Sequence, residues 1–366
     1  MKILVGRNEL LTALQSVIGV VERRQTLPVL ANFLLEATEE ELVVTGTDLE
    51  LELVARAQVQ NLAPGRITVP ARKLFDICRG LPEGAEISLE TVDERVTVRS
   101  GRSRFTLSSL KPEEFPSMGE VSQAQQIRLS RGQLKSLLDK TQFAMAQQDV
   151  RYYLNGLLLD ANPQRLRAVA TDGHRLAFSE LEQATGLDQA LQAIVPRKSV
   201  IELNRLLDGS DEEVLLQVGQ GQVQVEVDVV RLTTKTIEGR FPDYERVIPE
   251  QGDKCFQTDR EGLRRSLART AILSNEKFRG VRLQLQEGIL RLQTHNPEHE
   301  EAEEEIEVEY SGDSIEMGFN VNYLMDALSV INGEQVVMEL KNADSSGLVY
   351  ESGDQSSKYV IMPMRL

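Results

Sequence analysis

The chain has 366 residues, of which 41% are apolar and none is Trp, and this length suggests two or three domains. It contains no apolar run long enough to cross a bilayer, and residues 1–8 turn polar too early for a signal peptide, so we expect a cytoplasmic protein. The net charge of −16 argues against uniform affinity for nucleic acid, although basic residues cluster in predicted helices and the longest charge run, 298–309, is acidic.

The residue types needed for metal or cofactor chemistry are few and badly spaced. Cys78 and Cys255 form no metal-binding spacing and are expected to be buried or free thiols. The three histidines, His174, His295 and His299, form no zinc-binding helix, and the phosphate-binding glycine motifs are missing. We therefore expect no metal and no cofactor.

A hydrophobic strand that ends in a polar turn recurs three times. The turn residues Asp48, Asp172 and His295 are 124 and 123 residues apart. A Val-Pro pair at Val69 and Val195 is followed 46 residues later by a Phe-Pro pair in both copies. Several landmarks in the same order and at constant spacing indicate an internal repeat of domain size.

Each copy is predicted to contain two amphipathic helices, one at its start and one after the Val-Pro position, where Pro suits a helix start. The first helices have apolar residues at helical spacing at Leu10, Leu11, Leu14, Val17 and Ile18, at Leu134, Leu137 and Leu138, and at Leu263, Leu267 and Ala271. The second helices have them at Leu74, Phe75 and Cys78, at Val200, Ile201 and Leu207, and at Leu324, Met325 and Leu328.

Alternating strands follow each second helix, as in residues 213–218, and each copy has about eight strands in total. The pattern predicts an α+β fold built from three tandem copies of one domain, each with two helices packed on antiparallel sheets. We place the copies at 1–120, 121–250 and 251–366.

Catalysis has little support in this sequence. His174 near Asp172 and Ser179 could suggest part of a triad, but triads are defined by geometry. The turns at 45–48 and 171–174 could suggest magnesium-binding carboxylates, but the third copy has His295 at the equivalent position. A turn residue at a strand end explains these positions better. An enzymatic alternative, a nucleotidyltransferase subunit with its own active site, would need a repeated carboxylate pair.

Four motifs carry a resemblance to a known family. Residues 151–156, 171–176, 239–244 and 362–366 closely resemble the bacterial sliding clamps, the beta subunits of DNA polymerase III, over the whole chain. The resemblance implies a processivity factor for DNA replication that encircles duplex DNA as a head-to-tail homodimeric ring. It also implies a non-catalytic subunit, although the holoenzyme is catalogued as a DNA-directed DNA polymerase. The implied partners are duplex DNA without sequence preference, a second copy of the chain, polymerase and clamp-loader subunits, repair polymerases and other proteins that carry a clamp-binding motif. We expect no membrane partner.

Helix dimensions are consistent with a ring of two chains. Six helices at an interaxial distance of about 10 Å would leave a hole of about 9 Å, whereas twelve would leave about 28 Å. If helices line the hole, as the resemblance implies, one chain cannot enclose duplex DNA and two chains can.

Basic residues on or beside the predicted helices are the candidate DNA surface. For any single residue, a solvated helix face is the simpler explanation, but the set favours DNA, and phosphate contacts suit a protein that slides. The basic set is Arg23, Arg24, Arg72, Lys73, Arg79, Arg131, Lys135, Lys140, Arg197, Lys198, Arg205, Arg260, Arg264, Arg265 and Arg269. The resemblance implies DNA contacts at Arg24, Arg72, Gln148, Tyr152 and Tyr153.

The resemblance also implies a peptide-binding groove between the second and third copies. Its Met, Pro and Leu side chains form an adaptable apolar surface that could accept several partners, although 360–364 could simply be a last core strand. The groove positions are Leu154, Thr171, Gly173, His174, Arg175, Leu176, Pro242, Arg246, Val247, Asn320, Tyr323, Ser346, Val360, Met362, Pro363 and Met364.

Opposite charges at the two ends of the chain suggest the subunit junction. A basic stretch in the first copy and an acidic run in the third suit a heterologous contact, although the acidic run could also be a solvated strand edge that discourages aggregation. The predicted interface residues are Arg102, Arg104, Phe105, Leu107, Ile272, Leu273, Glu298, Glu300, Glu303 and Glu304. The remaining alternative is an oligomeric adaptor that never contacts DNA.

Overall fold

A computed structural model of the chain describes residues 1–22, 27–92, 94–119, 121–250 and 252–365. The described residues contain α-helices α1 Arg7–Val17, α2 Ala71–Gly80, α3 Arg131–Asp139, α4 Arg197–Leu206, α5 Arg260–Thr270 and α6 Val321–Val330. The prediction of two helices per copy is therefore confirmed. In the first and second copies, the second helix begins directly after the proline of the Val-Pro pair.

The strands of the first copy are β1 Lys2–Gly6, β2 Asn32–Ala37, β3 Glu41–Thr47, β4 Leu51–Gln58, β5 Gln60–Ala63, β6 Gly65–Pro70, β7 Glu86–Val92, β8 Arg95–Ser100 and β9 Ser103–Ser108. Those of the second are β10 Gln125–Ser130, β11 Gly156–Asn162, β12 Arg165–Thr171, β13 Arg175–Glu182, β14 Leu191–Pro196, β15 Glu213–Gly219, β16 Gln222–Val227 and β17 Val230–Lys235. Those of the third are β18 Lys254–Asp259, β19 Gly280–Gln286, β20 Ile289–His295, β21 Glu301–Glu307, β22 Ile315–Asn320, β23 Gln335–Leu340, β24 Gly347–Glu351 and β25 Asp354–Ile361.

The chain divides into two compact units, and the middle copy contributes to both. One unit contains Met1–Gly132 and Ile201–Thr236, and the other contains Gln133–Val200 and Ile237–Leu366. The first unit has a five-stranded sheet, β5-β1-β7-β8-β9, and an eight-stranded sheet, β10-β15-β16-β17-β4-β3-β2-β6. The second has an eight-stranded sheet, β14-β11-β12-β13-β25-β24-β23-β18, and a four-stranded sheet, β21-β20-β19-β22. All the pairings between these strands are antiparallel.

Each eight-stranded sheet joins four strands of one copy to four strands of another. In the first unit β17 pairs with β4, for example Leu232 with Leu53. In the second unit β13 pairs with β25, for example Leu176 with Val360. Both junctions occupy equivalent positions in the repeat, since β4 and β13 each follow the polar turn of their copy.

Alternation along the sequence explains which face of each strand is buried. In β19 and β20 every second residue, such as Leu283 and Leu292, packs into the core, while Arg282 and Gln293 point outward. Helix α5 covers the buried side of this sheet with Leu263 and Leu267, and contacts β20 and β21. Helix α5 therefore packs on one face of this sheet, as its apolar periodicity predicts.

The polar turns of the first two copies are structural. Asp48 accepts backbone hydrogen bonds from Glu50 and Leu51, and Asp172 accepts equivalent bonds from His174 and Arg175, at 2.8–3.0 Å. An aspartate that caps its own turn in this way stabilises the reversal between two strands. The interpretation of these carboxylates as turn residues is confirmed.

None of the helices described is long and apolar enough to span a membrane.

Candidate functional site

The turn after β12 forms one wall of the candidate groove. Thr171 is buried, and its hydroxyl donates to the Arg175 carbonyl at 2.6 Å. Gly173 has φ +87°, a left-handed conformation that favours glycine. This compact turn leaves Gly173 and His174 exposed.

The C-terminal segment lies beside that turn. The Met362 backbone N–H donates to the His174 carbonyl at 2.9 Å, and the Met364 N–H donates to the Gly318 carbonyl at 2.7 Å. These two bonds attach residues 362–364 to the turn on one side and to β22 on the other. The Ser346 hydroxyl lies 3.2 Å from the Met362 sulfur, which places Ser346 beside the same segment.

The floor of the groove is apolar. Leu176 and Val360 are paired across β13 and β25 and belong to a buried cluster with Phe241 and Tyr244. Val247 packs against this cluster from the short 3-10 helix region that follows the Phe-Pro pair. The predicted floor is therefore brought together from segments more than 60 residues apart in sequence.

The opposite wall is the start of α6. Asn320 caps this helix by accepting from the Asn322 N–H at 2.9 Å, and its amide donates to the Phe278 carbonyl at 3.4 Å. The Tyr323 ring lies 4.5 Å from the Arg175 guanidinium. Burial raises the pKa of the Tyr323 hydroxyl, with a further contribution from the negative charge of Asp172.

Most of the predicted groove residues therefore lie close together in the second unit. Arg246 is different: its side chain is 86% exposed and pairs with Asp243 at 2.9 Å, so it lies at the rim. Leu154 is 2% exposed and contributes to the base of the site rather than to its surface. Pro242 and Pro363 are half-buried.

Sequence reasoning missed the contacts of Arg151. Its guanidinium pairs with Asp149 at 2.9 Å and donates to the Asp172 carbonyl at 3.3 Å. A Cβ added at Gly173 would lie 2.8 Å from the Arg151 Nη2, so a larger residue there would displace the end of that side chain. Hydrogen bonds from Arg151 lower the pKa of the Asp149 carboxyl to about 2. The motif at 151–156 was a signal for this position, but it did not indicate which residue Arg151 contacts.

A separate cavity of about 580 Å³ lies over the outward side of β19–β21, lined among others by Phe278, Arg282 and Glu303. Met364 is the one predicted groove residue in its lining.

The candidate DNA residues have different environments. Tyr152 is 57% exposed, and its ring lies 5.9 Å from that of Tyr153, which packs against the core. Gln148 is exposed in a left-handed conformation with φ +58°. Arg72 and Arg197, in the first turns of α2 and α4, donate to the carbonyls of Val21 and Met145 at 2.7 and 3.1 Å. Lys198 follows in α4, whereas Arg23 and Arg24 lie outside the described residues.

Two members of the predicted basic set are not on an exposed face. Arg131 is buried and pairs with Asp208 and Glu212, as well as with Asp228. Arg260 donates to the carbonyls of Leu328 and Ile331, and so fastens α5 to the end of α6. Including Arg131 in a DNA surface was wrong, because periodicity alone does not show which long polar side chains turn inward, whereas half-buried Arg260 stays a prediction.

Several other basic residues on the helices have an acidic partner on the same helix. These pairs are Arg79–Asp76, Lys135–Asp139, Arg205–Glu202, Arg264–Glu261 and Arg265–Glu261. Their acidic partners reduce the positive charge of the helix surface.

The predicted junction residues lie on or near two terminal strands. Strand β9 ends the five-stranded sheet of one unit, and β21 ends the four-stranded sheet of the other. Phe105 is exposed on β9, and Ile272 is 75% exposed beside half-buried Leu273 in a short 3-10 helix after α5. Glu304 faces α5, where Arg269 donates to both of its carboxylate oxygens at 2.7 Å and lowers its pKa.

The remaining junction residues are distributed around these strands. Arg102 and Arg104 are exposed on the β8–β9 hairpin, whereas Leu107 is buried on β9. Glu298 and Glu300 are exposed in the hairpin before β21, and Glu303 is exposed on it. Across the described ranges, no group of three or more His, Cys, Asp or Glu residues could hold a metal ion.

Comparison with known proteins assigns all three copies to one family. Models of the N-terminal, central and C-terminal domains of the DNA polymerase III beta subunit match residues 1–119, 128–243 and 245–365. The chain is 52% identical over 363 residues to the beta sliding clamp of Pseudomonas aeruginosa, covering 99% of each chain. It is 49% identical over 367 residues to that of Escherichia coli strain K12, covering 100% of each.

Solved structures agree with this assignment. The DNA polymerase III subunit beta from Pseudomonas aeruginosa matches with a TM-score of 0.97 at 51% identity over 100% of both chains. A sliding clamp from the same organism bound to griselimycin matches with a TM-score of 0.96 at 51% identity, also over 100% of both chains. The chain therefore belongs to the family of DNA polymerase III beta subunits, the bacterial beta sliding clamps.

Proposed function

We propose that two copies of this chain close head to tail around duplex DNA and tether replication and repair proteins through the groove described above. As a family member, the chain is a non-catalytic subunit of DNA polymerase III and a processivity factor. We also propose repeat boundaries at 1–120, 121–250 and 251–366.

The observation that carries the proposal is the repeated strand junction. Strand β4 of the first copy pairs with β17 of the second, and β13 of the second pairs with β25 of the third. By position in the repeat, the third copy's equivalent of β4 and β13 is β21. The first copy's equivalent of β17 and β25 is β9. Pairing of β21 with β9 of another chain would therefore repeat the same strand junction between chains. Two chains that each pair in this way would form a closed ring.

Charge and polarity on the two strands support this pairing. On β9, Phe105 and Leu107 face the same side as buried Val98 and Val96, so Arg104 points outward. Glu303 points outward from β21, because the adjacent residue Glu304 faces α5 and successive strand residues point to opposite faces. An antiparallel β9–β21 pair would bring arginines and glutamates together on the outward face, and Phe105 towards Ile272 and Leu273 on the other.

The proposed DNA contacts are Arg24, Arg72, Gln148, Tyr152, Tyr153, Arg197 and Lys198. Exposed Gln148 and Tyr152 flank Val150, which is 96% exposed, and Tyr152 begins a short 3-10 helix of the second unit. Phosphate contacts from arginine and lysine would give affinity without sequence preference.

A topological experiment tests the proposal. We expect protein loaded by the clamp loader of the same organism to remain on closed circular plasmid during gel filtration. A single restriction cut should release it, because a ring can slide off an end. Equal retention on circular and cut plasmid would indicate ordinary DNA binding. Failure to be retained on either would favour an adaptor that does not encircle DNA.

The groove is tested separately with griselimycin, the compound bound by the Pseudomonas aeruginosa relative. We propose that this chain binds griselimycin against Leu176, Val360 and Met362. We expect Met362→Ala, which removes the exposed thioether, to weaken binding about tenfold or more by isothermal titration. Ile289→Ala, an exposed apolar residue on β20, is the matched control. Equal affinity of the Met362→Ala variant and wild type would place the compound elsewhere.

A further inference from the structure

Arg175 contacts three separate segments around the groove. Its Nε donates to Asp172 Oδ2 at 3.1 Å, and its Nη1 donates to Asp326 Oδ2 at 2.6 Å. Its Nη2 donates to the Phe143 carbonyl at 3.0 Å. The partners are 3, 151 and 32 residues away in the sequence. One guanidinium thus connects the turn after β12, helix α6 and the short helix at Gln142–Ala144.

Two aromatic rings also lie close to the guanidinium. The Phe143 ring lies 5.2 Å from the Arg175 Cζ, and the Tyr323 ring lies 4.5 Å from it. Its side chain is only 13% exposed. Three of the five N–H groups of this cation already donate hydrogen bonds, and two rings lie beside it, so most of its contacts are made within the protein.

The two ends of this arrangement belong to opposite walls of the groove. Asp172 lies between Thr171 and Gly173 in the turn, whereas Asp326 lies one helical turn after Tyr323 on α6. Besides the backbone bonds of residues 362–364, the side-chain link between the two walls is the Arg175 guanidinium and its ion pair with Asp326.

We propose that Arg175 and Asp326 are positioning residues that set the width of the partner groove, and that Asp326 controls partner affinity without contacting the partner. This inference rests on the proposed function of the groove. It changes the role predicted for Arg175 from a peptide contact to a link between the two walls. Phe143 contributes as the third attachment point.

The pair is only partly shielded, because the Asp326 side chain is 47% exposed. Asp326→Asn keeps the size of the side chain but removes its charge, and leaves the bonds from Arg175 to Asp172 and Phe143. We expect a moderate loss, roughly five- to tenfold in griselimycin affinity, since a hydrogen bond to a charged group is lost but not the whole link. Arg175→Gln removes every attachment and is expected to cost about a hundredfold.

The deciding experiment is a double-mutant cycle by isothermal titration with griselimycin on the full chain. Wild type, Asp326→Asn, Arg175→Gln and the double variant are compared. If the two residues act through one another, the double variant binds no more weakly than Arg175→Gln alone. Additive losses would overturn the inference, and so would unchanged affinity in Asp326→Asn.

A second readout separates wall position from general stability. The chain has no Trp, so Tyr323→Trp introduces a single reporter beside Arg175. We expect Asp326→Asn in this background to shift the Trp emission to longer wavelength at a temperature where circular dichroism shows the protein fully folded. An unchanged emission maximum would contradict a movement of the wall.

Asp76→Asn is the matched control, because Asp76 also pairs with an arginine on a helix surface but lies in the other unit. It should leave griselimycin affinity unchanged. The outcomes also distinguish the two proposals. If Met362→Ala does not weaken binding, the groove assignment fails. If Met362→Ala weakens binding but Asp326→Asn does not, only the positioning role fails.

Discussion

Tyr244 shows how a single hydroxyl can stabilise the floor of a binding site. Its O–H donates to Asp160 Oδ2 at 2.5 Å and accepts from Arg167 Nη1 at 2.9 Å. The Arg167 guanidinium also lies over the Tyr244 and Phe178 rings, at 5.9 and 5.1 Å. Burial, with the neighbouring Asp160 carboxylate, raises the pKa of the Tyr244 hydroxyl to about 12. The network fixes the segment that contains Pro242 and Val247 to the sheet.

Tyr244→Phe should therefore destabilise the protein. The substitution keeps the ring but leaves Asp160 and Arg167 without a shared partner, which we expect to cost about 1–3 kcal/mol in the free energy of unfolding. Urea denaturation measures the change. Tyr152→Phe is the control, because that hydroxyl belongs to an exposed side chain, and its effect should be within about 0.5 kcal/mol. Equal effects of the two substitutions would contradict the network's role.

Glu52 gives a pH-dependent prediction. It is 4% exposed and accepts a hydrogen bond from the Met118 N–H at 3.1 Å, and burial raises its pKa above the usual value of 4.5. The folded state therefore retains this proton to a higher pH than the unfolded state does. The stabilisation from protonated Glu52 is complete below the pKa of this carboxyl in the unfolded state. It is lost as the pH rises through the pKa of the carboxyl in the folded state.

Glu52→Gln removes this titration and keeps an acceptor for Met118. We expect the melting temperature of the variant relative to wild type to increase from about pH 4 to about pH 8, as measured by scanning calorimetry. Glu50→Gln removes the exposed ion pair with Lys235 and should show no such gain at the higher pH. If the difference in melting temperature between Glu52→Gln and wild type does not change with pH, the Glu52 carboxyl of the wild type titrates normally in the folded protein.

Contacts between residues far apart in the sequence limit what the sequence predicts about individual site residues. Leu176, Val360 and Met362 could be assigned to the groove by resemblance, and the structure brings them together. Asp326 could not, because its link to Arg175 spans 151 residues and nothing in the surrounding helix distinguishes it from a solvated aspartate. Arg131 was misplaced for a similar reason, since its acidic partners come from distant loops.

At the scale of elements, the strand edges matter most. Alternation predicts individual strands such as β15, and apolar residues at helical spacing predict the positions of all six helices. It does not predict that β17 pairs with β4 or β13 with β25, because pairing between distant strands depends on tertiary packing rather than on local pattern. The junction between copies therefore became visible only with the structure.

The apolar contribution to the proposed subunit junction can be tested directly. Ile272→Ala with Leu273→Ala removes apolar area opposite Phe105 and is expected to give monomers at micromolar concentration in light scattering. Losing two buried aliphatic side chains would weaken association by about 2–5 kcal/mol. Ile289→Ala with Val229→Ala removes exposed apolar residues elsewhere and should leave the dimer intact. A dimeric Ile272/Leu273 variant would move the junction away from this segment.

At the scale of the whole molecule, charge is unevenly distributed. The net charge of −16 coexists with helices that carry basic residues, several already paired with acids on the same helix. Such a surface should bind DNA weakly and through few phosphates, which suits movement along the duplex. The negative net charge alone argues against DNA binding, whereas the position of the basic residues on the helices is compatible with it.

This distribution predicts the salt dependence of unloaded protein on linear duplex. With about three phosphate contacts, affinity should fall roughly fortyfold between 50 and 200 mM salt. Arg72→Gln with Arg197→Gln should make log affinity fall less steeply with log salt concentration. The decrease in slope, measured by fluorescence anisotropy, should correspond to the loss of about two phosphate contacts. Lys111→Gln with Lys341→Gln, exposed lysines outside the helices, is the control. A wild-type affinity independent of salt would exclude the phosphate contacts.

The division of the middle copy between two eight-stranded sheets has a consequence for chain recombination. A cut at either repeat boundary leaves four strands of a sheet without their neighbours, and removing the middle copy exposes β4 and β25 at once. If only the middle copy is replaced by that of a relative, β17 and β13 of the relative must pair with β4 and β25 of this chain. Replacing the whole chain keeps every strand with its own partner. Individual copies should therefore be poor modules for shuffling, even though they share one fold.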